Sequence, residues 1–223
     1  MRFLRQQVKT GRLVGGADPT ASLANVQAHP GISRAFGRVF RKSKPEILDL
    51  GPISGQTVVY MADRGARVSV EEFEPPPPAP VPTKGKKSKK IVVKPLRIDQ
   101  PDGKFDLVLA WEQCDFIPPQ RLGEFIAELR RVLADGGWLL LFSRNASTIL
   151  GANAADETAS PCRYRLLDEK MAVREPSGRK PERRWVHPTR EIERALAPLS
   201  VQGIHLQRNQ IREFSALKKA PQA

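Results

Sequence analysis

The sequence predicts an α/β protein, a mostly parallel β-sheet with helices on both of its faces. Three observations predict it. Over residues 47–73 a buried strand, a glycine-bearing turn, a helix and a second strand follow one another, the unit that builds parallel sheets. Over residues 104–143 an almost wholly apolar strand, an amphipathic helix and another apolar strand repeat the alternation. The stretches "VQGIHLQRN" and "REFSALK" then read as a closing antiparallel pair.

Taken in order, residues 1–31 read as a basic N-terminal arm, partly disordered, with little periodicity up to residue 18. Within it Thr20 offers a helix cap and Pro30-Gly31 a stop. In "ISRAFGRVFRK", Ile32, Ala35, Phe36, Val39 and Phe40 fall at helical spacing, with Arg34, Arg38 and Arg41 on other faces. "PEILDLG" is strand-like, "SGQTVVYMADRG" helical with Gly65 as its stop, and "ARVSVEEF" a second strand with Val68 and Val70 on one face. Residues 74–90 form a Pro/Lys-rich, low-complexity insertion. Its prolines forbid a helix and favour an extended polyproline II segment, with a flexible lysine run behind it. "IVVKPLRI" resumes as a possible strand that Pro95 restricts to an edge or a bend. "KFDLVLAW" is a buried strand. The helix that follows carries Leu122, Phe125, Ile126, Leu129, Val132 and Leu133 on one stripe; Pro118 and Pro119 open it and Gly136-Gly137 close it. "WLLLFS" is buried, residues 144–185 are polar with a hairpin around "CRYRLLDEKMAVRE", and "HPTREIERALAPL" is a helix with Thr189 as cap. One domain over residues 32–219 accounts for all of this.

The net charge of +13 is unevenly placed. Residues 1–46 carry a net +7, residues 84–97 another +7, and the remainder is near neutral. Both basic segments could make weak contact with nucleic acid or another polyanion, or stay solvated. No apolar run suits a signal peptide or a membrane span, so a cytoplasmic protein is expected. Cys114 and Cys162 are the only cysteines, too few for a disulfide framework or a zinc cluster, so no metal is expected.

The chemistry centres on "ILDLGPISG". A glycine turn between a strand and a helix lets backbone approach a ligand and offers free N–H groups at the helix N-terminus. An acid at the tip of the next strand, Glu72 with Glu71 beside it, can accept both hydroxyls of a ribose. The spacing Asp49-x-Gly51-x-x-x-Gly55 lacks the G-x-G of a dinucleotide site, which disfavours a nicotinamide enzyme.

At "ILDLGPISG", "GARVSVEEF" and "FDLVLAWEQCDFIPPQRLGEFIAELRRVLADGGWLLLFS" the sequence resembles the class I S-adenosylmethionine-dependent methyltransferases. The tail "REIERALAPLSVQGIHLQRNQIREFSALK" is similar to that family's last helix and closing hairpin. The resemblance implies a Rossmann-like, seven-stranded sheet with its last strand antiparallel, and S-adenosylmethionine as cofactor. It implies that Asp49, Gly51, Pro52, Ser54 and Gly55 shape the methionine pocket and that Glu72, with Glu71, binds the ribose. Asp99 falls near the position of an adenine-binding acid, and Trp111 and Glu112 where the cofactor and substrate pocket is lined. Ile53 stands where the family has its middle glycine. The implied activity is methyl transfer to a small-molecule acceptor, with no catalytic base assigned. The alternative is a non-catalytic module of the same fold that uses its basic segments to engage nucleic acid or a protein.

Overall fold

The structure is a computed structural model that describes residues 26–73, 95–145 and 158–220. The basic arm up to residue 25 and the insertion at 74–90 lie outside the described residues. The described chain opens with β1 (Val26–Ala28) and α1 (Pro30–Val39), then β2 (Glu46–Asp49), α2 (Gly55–Ala62) and β3 (Arg67–Val70). β4 (Phe105–Trp111), α3 (Leu122–Val132) and β5 (Leu133–Arg144) follow. After them come β6 (Thr158–Ala159), β7 (Cys162–Leu166), β8 (Met171–Pro176), β9 (Glu182–Arg183), α4 (Thr189–Leu196), β10 (Ser200–Leu206) and β11 (Ile211–Leu217).

Six strands make the central sheet in the order β10-β11-β5-β4-β2-β3. β3, β2, β4 and β5 are parallel, and β11 runs antiparallel between β5 and β10. β4 is buried along its whole length because both faces of the sheet are covered. Its period of two divides the core. Leu107, Leu109 and Trp111 point to one face, where Ile32, Ala35, Phe36 and Val39 of α1 and Met61 of α2 pack. Val108 and Ala110 point to the other, against Phe125, Ile126 and Leu129 of α3 and Ile192 and Leu196 of α4. Gly65, at φ 83°, makes the turn after α2 that a side chain would strain.

The mostly parallel sheet with an antiparallel last strand is as expected, but with six strands rather than seven among the described residues. Of the strand expected at "IVVKPLRI", residues 91–94 lie outside the described residues and residues 95–98 are irregular. Pro95 has no N–H for a ladder. The amides of Leu96 and Ile98 go instead to carboxylates of α3, Glu124 Oε1 at 2.6 Å and Glu128 Oε2 at 3.1 Å, while both side chains stay in the core. Two further corrections concern helix starts. Residues 26–28, inside the segment that Thr20 was expected to cap as a helix, form a strand on β8, with Val26 opposite Val173. Thr189 begins α4 without capping it; its hydroxyl accepts from Arg212 Nη1 at 2.9 Å.

A second, three-stranded antiparallel sheet, β1-β8-β7, contains the expected hairpin. Thr57 of α2 stitches it to the main body. Its Oγ1 donates to the Tyr164 carbonyl at 2.9 Å and accepts from the Leu166 amide at 3.0 Å. This places Tyr164 over the C-terminal ends of β2 and β4, where the site lies.

Candidate functional site

The site is built at the C-terminal edge of β2, β3 and β4. Asp49, the last residue of β2, is buried, and its Oδ1 accepts from the Gly51 amide at 2.9 Å and from Trp111 Nε1 at 2.7 Å. Burial pushes its carboxyl up to about 6, against the pull of those two donors; the charge of Glu72 adds to the rise. Gly51 has to be glycine here, since a Cβ would overlap Trp111 Cδ1 and lie 3.0 Å from its Nε1. Pro52 and Ser54 are buried in the loop, and Ser54 makes no side-chain cap on α2. Gly55, the first residue of α2, faces open space; a Cβ there meets nothing within 4 Å. Ile53 points outward, 54% exposed, and keeps an ordinary negative φ, so its branched side chain leaves the loop's hollow clear.

The two glutamates after β3 divide their work. Glu72 reaches back to the loop: its Oε1 accepts from the Ile53 amide at 3.1 Å, and Arg179 lies 3.8 Å from its Oε2. Glu71 turns the other way, taking the Asp99 amide at 2.9 Å and Gln100 Nε2 at 3.1 Å. Glu71 therefore holds the turn that carries Asp99, with one bond on each of its carboxylate oxygens.

Trp111 ends β4 at φ 40°, strained for a bulky residue. Its indole lies parallel to the Tyr164 ring, centroids 4.7 Å apart, and edge-on to Phe142 at 5.3 Å. Glu112 sits behind this stack. Its carboxylate accepts from Tyr164 OH at 2.6 Å and Arg174 Nε at 2.5 Å, and from Arg184 Nη2. Burial alone would raise Glu112, but the two guanidiniums hold it down at about 2; the Tyr164 hydroxyl is driven well up by its burial first and by the Glu112 charge second. Glu112 is thus committed to the protein and does not face the glycine loop.

Three participants carried no sequence signal toward the site. Tyr164 and Arg184 come from the polar stretch after β5, whose pairing the sequence does not reveal. His29, just before α1, stacks on Phe142 at 5.1 Å and meets Tyr164 edge-on at 6.2 Å, with Glu213 Oε2 3.4 Å from its Nδ1. His187 is buried elsewhere, with Nε2 2.9 Å from the Cys114 carbonyl. Among the described residues no group of acids, histidines and cysteines could hold a metal.

The arrangement fits a nucleoside at one end. Glu72 Oε1 holds the Ile53 amide two residues before the open Gly55 position, and Asp99 hangs by its amide from Glu71. At the other end, in front of Gly51, the Trp111 indole fills the space a methionine moiety would need, so that end fits only with the indole displaced.

Comparisons with known proteins bear on the family and the fold. The methyltransferase-domain family model matches residues 22–198. The chain belongs to that family, the class I enzymes whose methyl donor is S-adenosylmethionine. A protein from Pyrococcus horikoshii superposes with a TM-score of 0.52 at 14% identity, over 85% of this chain and 88% of that one. An S-adenosylmethionine-dependent methyltransferase from Mesorhizobium loti gives 0.50 at 12% identity, over 84% and 96%. At such identities both show the shared fold. No curated protein matches the chain.

Proposed function

We propose that the protein transfers a methyl group from S-adenosylmethionine to a small-molecule acceptor. The observation that carries the proposal is the Glu72 carboxylate held on the Ile53 amide of the Gly51–Gly55 turn. In that position it can exchange the Ile53 N–H for ribose hydroxyls. Asp49 shapes the loop by holding Gly51 and Trp111, and Gly55 leaves room for the sugar. Asp99, carried by Glu71, lies toward the base. The sulfonium supplies the reactive methyl when the cofactor is bound. The chain's part is to position the reactants and to exclude water with Trp111, Tyr164 and Phe142. A small acceptor suits a near-neutral body whose site is roofed by the β7-β8 hairpin. Cys114 and Cys162 are free thiols, which supports a cytoplasmic location. Among the described residues no helix is long and apolar enough to cross a membrane.

Calorimetric titration with S-adenosylmethionine and S-adenosylhomocysteine tests the reading. Micromolar binding is expected for both, weakened tenfold or more in Glu72→Ala and little changed in Glu71→Ala. Absence of heat with either ligand, over several temperatures, overturns it.

A further inference from the structure

The end of the site nearest Gly51 is closed by one side chain. The Trp111 indole stands so close that a Cβ on Gly51 would overlap its Cδ1, and the residue is 2% exposed. Three contacts hold it. Its Nε1–H donates to Asp49 Oδ1 at 2.7 Å, one face lies parallel to Tyr164, and Phe142 meets it edge-on. The surface it rests on is fixed from behind. The Tyr164 carbonyl accepts from Thr57 of α2, and the Tyr164 hydroxyl donates to Glu112, which Arg174 and Arg184 hold in turn.

Among these parts the indole is the one that can give way. Tyr164 is tied through both its backbone and its hydroxyl, and Glu112 by two guanidiniums. The indole has a single hydrogen bond, and its backbone sits at φ 40°. A bulky residue is strained there, and the strain is released once the backbone returns to negative φ. Leaving the site therefore loses one hydrogen bond and a ring stack but recovers the strain. Terms that offset in this way keep a second position within reach of a ligand that favours it. Asp49 gains from the exchange as well. It is buried, and the two groups it accepts from are neutral N–H donors. The ammonium of an amino-acid moiety is a cation, which Asp49 lacks.

We propose that Trp111 is a gate on the amino-acid end of the methyl donor's site: the indole leaves Asp49 and Gly51 when the donor enters and returns when the demethylated product departs. The inference deepens the methyl-transfer reading and rests on it. At the nucleoside end Glu72 holds the Ile53 amide and Gly55 faces open space, neither through the indole. A nucleoside without the amino-acid moiety should therefore bind with the gate shut.

The test uses the full chain, isotope-labelled so that its three tryptophans, Trp111, Trp138 and Trp185, each report through an indole N–H resonance. Trp111→Phe identifies the first. In the free protein the Trp111 N–H should be protected from solvent exchange. Saturation with S-adenosylhomocysteine should shift its resonance and speed its exchange at least tenfold, while adenosine at millimolar concentration leaves both unchanged. A closed majority state lowers apparent affinity by the fraction that is open. Trp111→Phe keeps a ring in the stack and drops the N–H. By calorimetry it should bind S-adenosylhomocysteine at least threefold tighter than the parent, and adenosine within twofold. If Trp111→Phe does not fold, Trp138→Phe and Trp185→Phe assign the Trp111 resonance by elimination, and its response in the parent decides. The proposal is overturned if S-adenosylhomocysteine binds while the Trp111 N–H keeps its protection, if adenosine exposes it equally, or if Trp111→Phe binds S-adenosylhomocysteine no tighter than the parent. If the parent binds neither ligand, it is the methyl-transfer reading that falls, and the gate with it.

Discussion

Asp49 carries two roles that pull against each other. As a hydrogen-bond acceptor it is well placed between Gly51 and Trp111; as a charge it is buried without a cation. Its carboxyl titrates at about 6 when folded and near 3.8 when exposed. Between those values the folded state keeps a proton that the unfolded chain has lost, so stability falls as pH rises through that window and is level above it. A displacement of about two units is worth ~3 kcal/mol. Asp49→Asn retains the accepting oxygen and removes the ionisation. Urea unfolding should find it close to the parent at pH 4 and up to ~3 kcal/mol more stable at pH 8. A variant that is instead weaker at pH 8 would mean that the ionised form has a partner outweighing its burial. Trp111 is the complementary case, a strained residue filling the space before Gly51. Trp111→Gly relieves the positive φ and opens that space at the expense of core packing. Stability should drop by ~3–5 kcal/mol, as for other large-to-small core changes, while S-adenosylhomocysteine binds several-fold tighter by calorimetry. Weaker binding would make the indole part of the cofactor's seat.

At the scale of elements, residues 95–98 are the instructive stretch. An apolar, β-branched run at 91–98 reads as a strand, yet over 95–98 the backbone is fastened to a helix face. The alternation that puts Leu96 and Ile98 in the core was legible; the identity of their hydrogen-bond acceptors was not. Glu124 and Glu128 look like ordinary solvated helix charges until the tertiary fold brings residue 95 onwards beneath them. Glu128 is further braced by Arg131, which also binds the carbonyls of Ile98 and Gln100 at 2.8 Å each. Glu128→Ala should leave the Ile98 amide unsatisfied, cost ~1–3 kcal/mol, and speed hydrogen exchange at Ile98. Glu128→Gln, which keeps an acceptor, should recover most of that. Equal loss in both variants would show that the carboxylate acts through Arg131 alone.

For the molecule as a whole, legibility followed the range of the interactions. Local signals placed β2, α2, β3, β4 and α3 close to where they lie, and the Asp49, Gly51 and Glu72 arrangement with them, because a strand-turn-helix unit is encoded by neighbours in the chain. The pairing of β1 with β8 spans almost 150 residues and leaves no periodic trace, so the third strand of the small sheet could not be anticipated, nor the approach of Arg184, beyond β9, to Glu112; the β7-β8 hairpin itself was legible. That sheet closes the site, and besides the Trp111–Tyr164 stack and the bonds of Glu112 to Tyr164 and Arg174, one side chain of α2 fastens it to the sheet-and-helix body. Thr57 is completely buried in α2 and both gives a hydrogen bond to β7 and receives one from it. Thr57→Val preserves shape and leaves the Tyr164 carbonyl and the Leu166 amide without their partner, a cost of ~1–3 kcal/mol for each buried group. Opening should be local, because β4, β5 and α3 share no hydrogen bond with Thr57. Hydrogen exchange should therefore accelerate over 162–176 while protection in 105–111 and 137–143 holds. If the cluster around Glu112 holds the hairpin down by itself, exchange over 162–176 will not change. If the two sheets form one cooperative unit, protection will fall everywhere together.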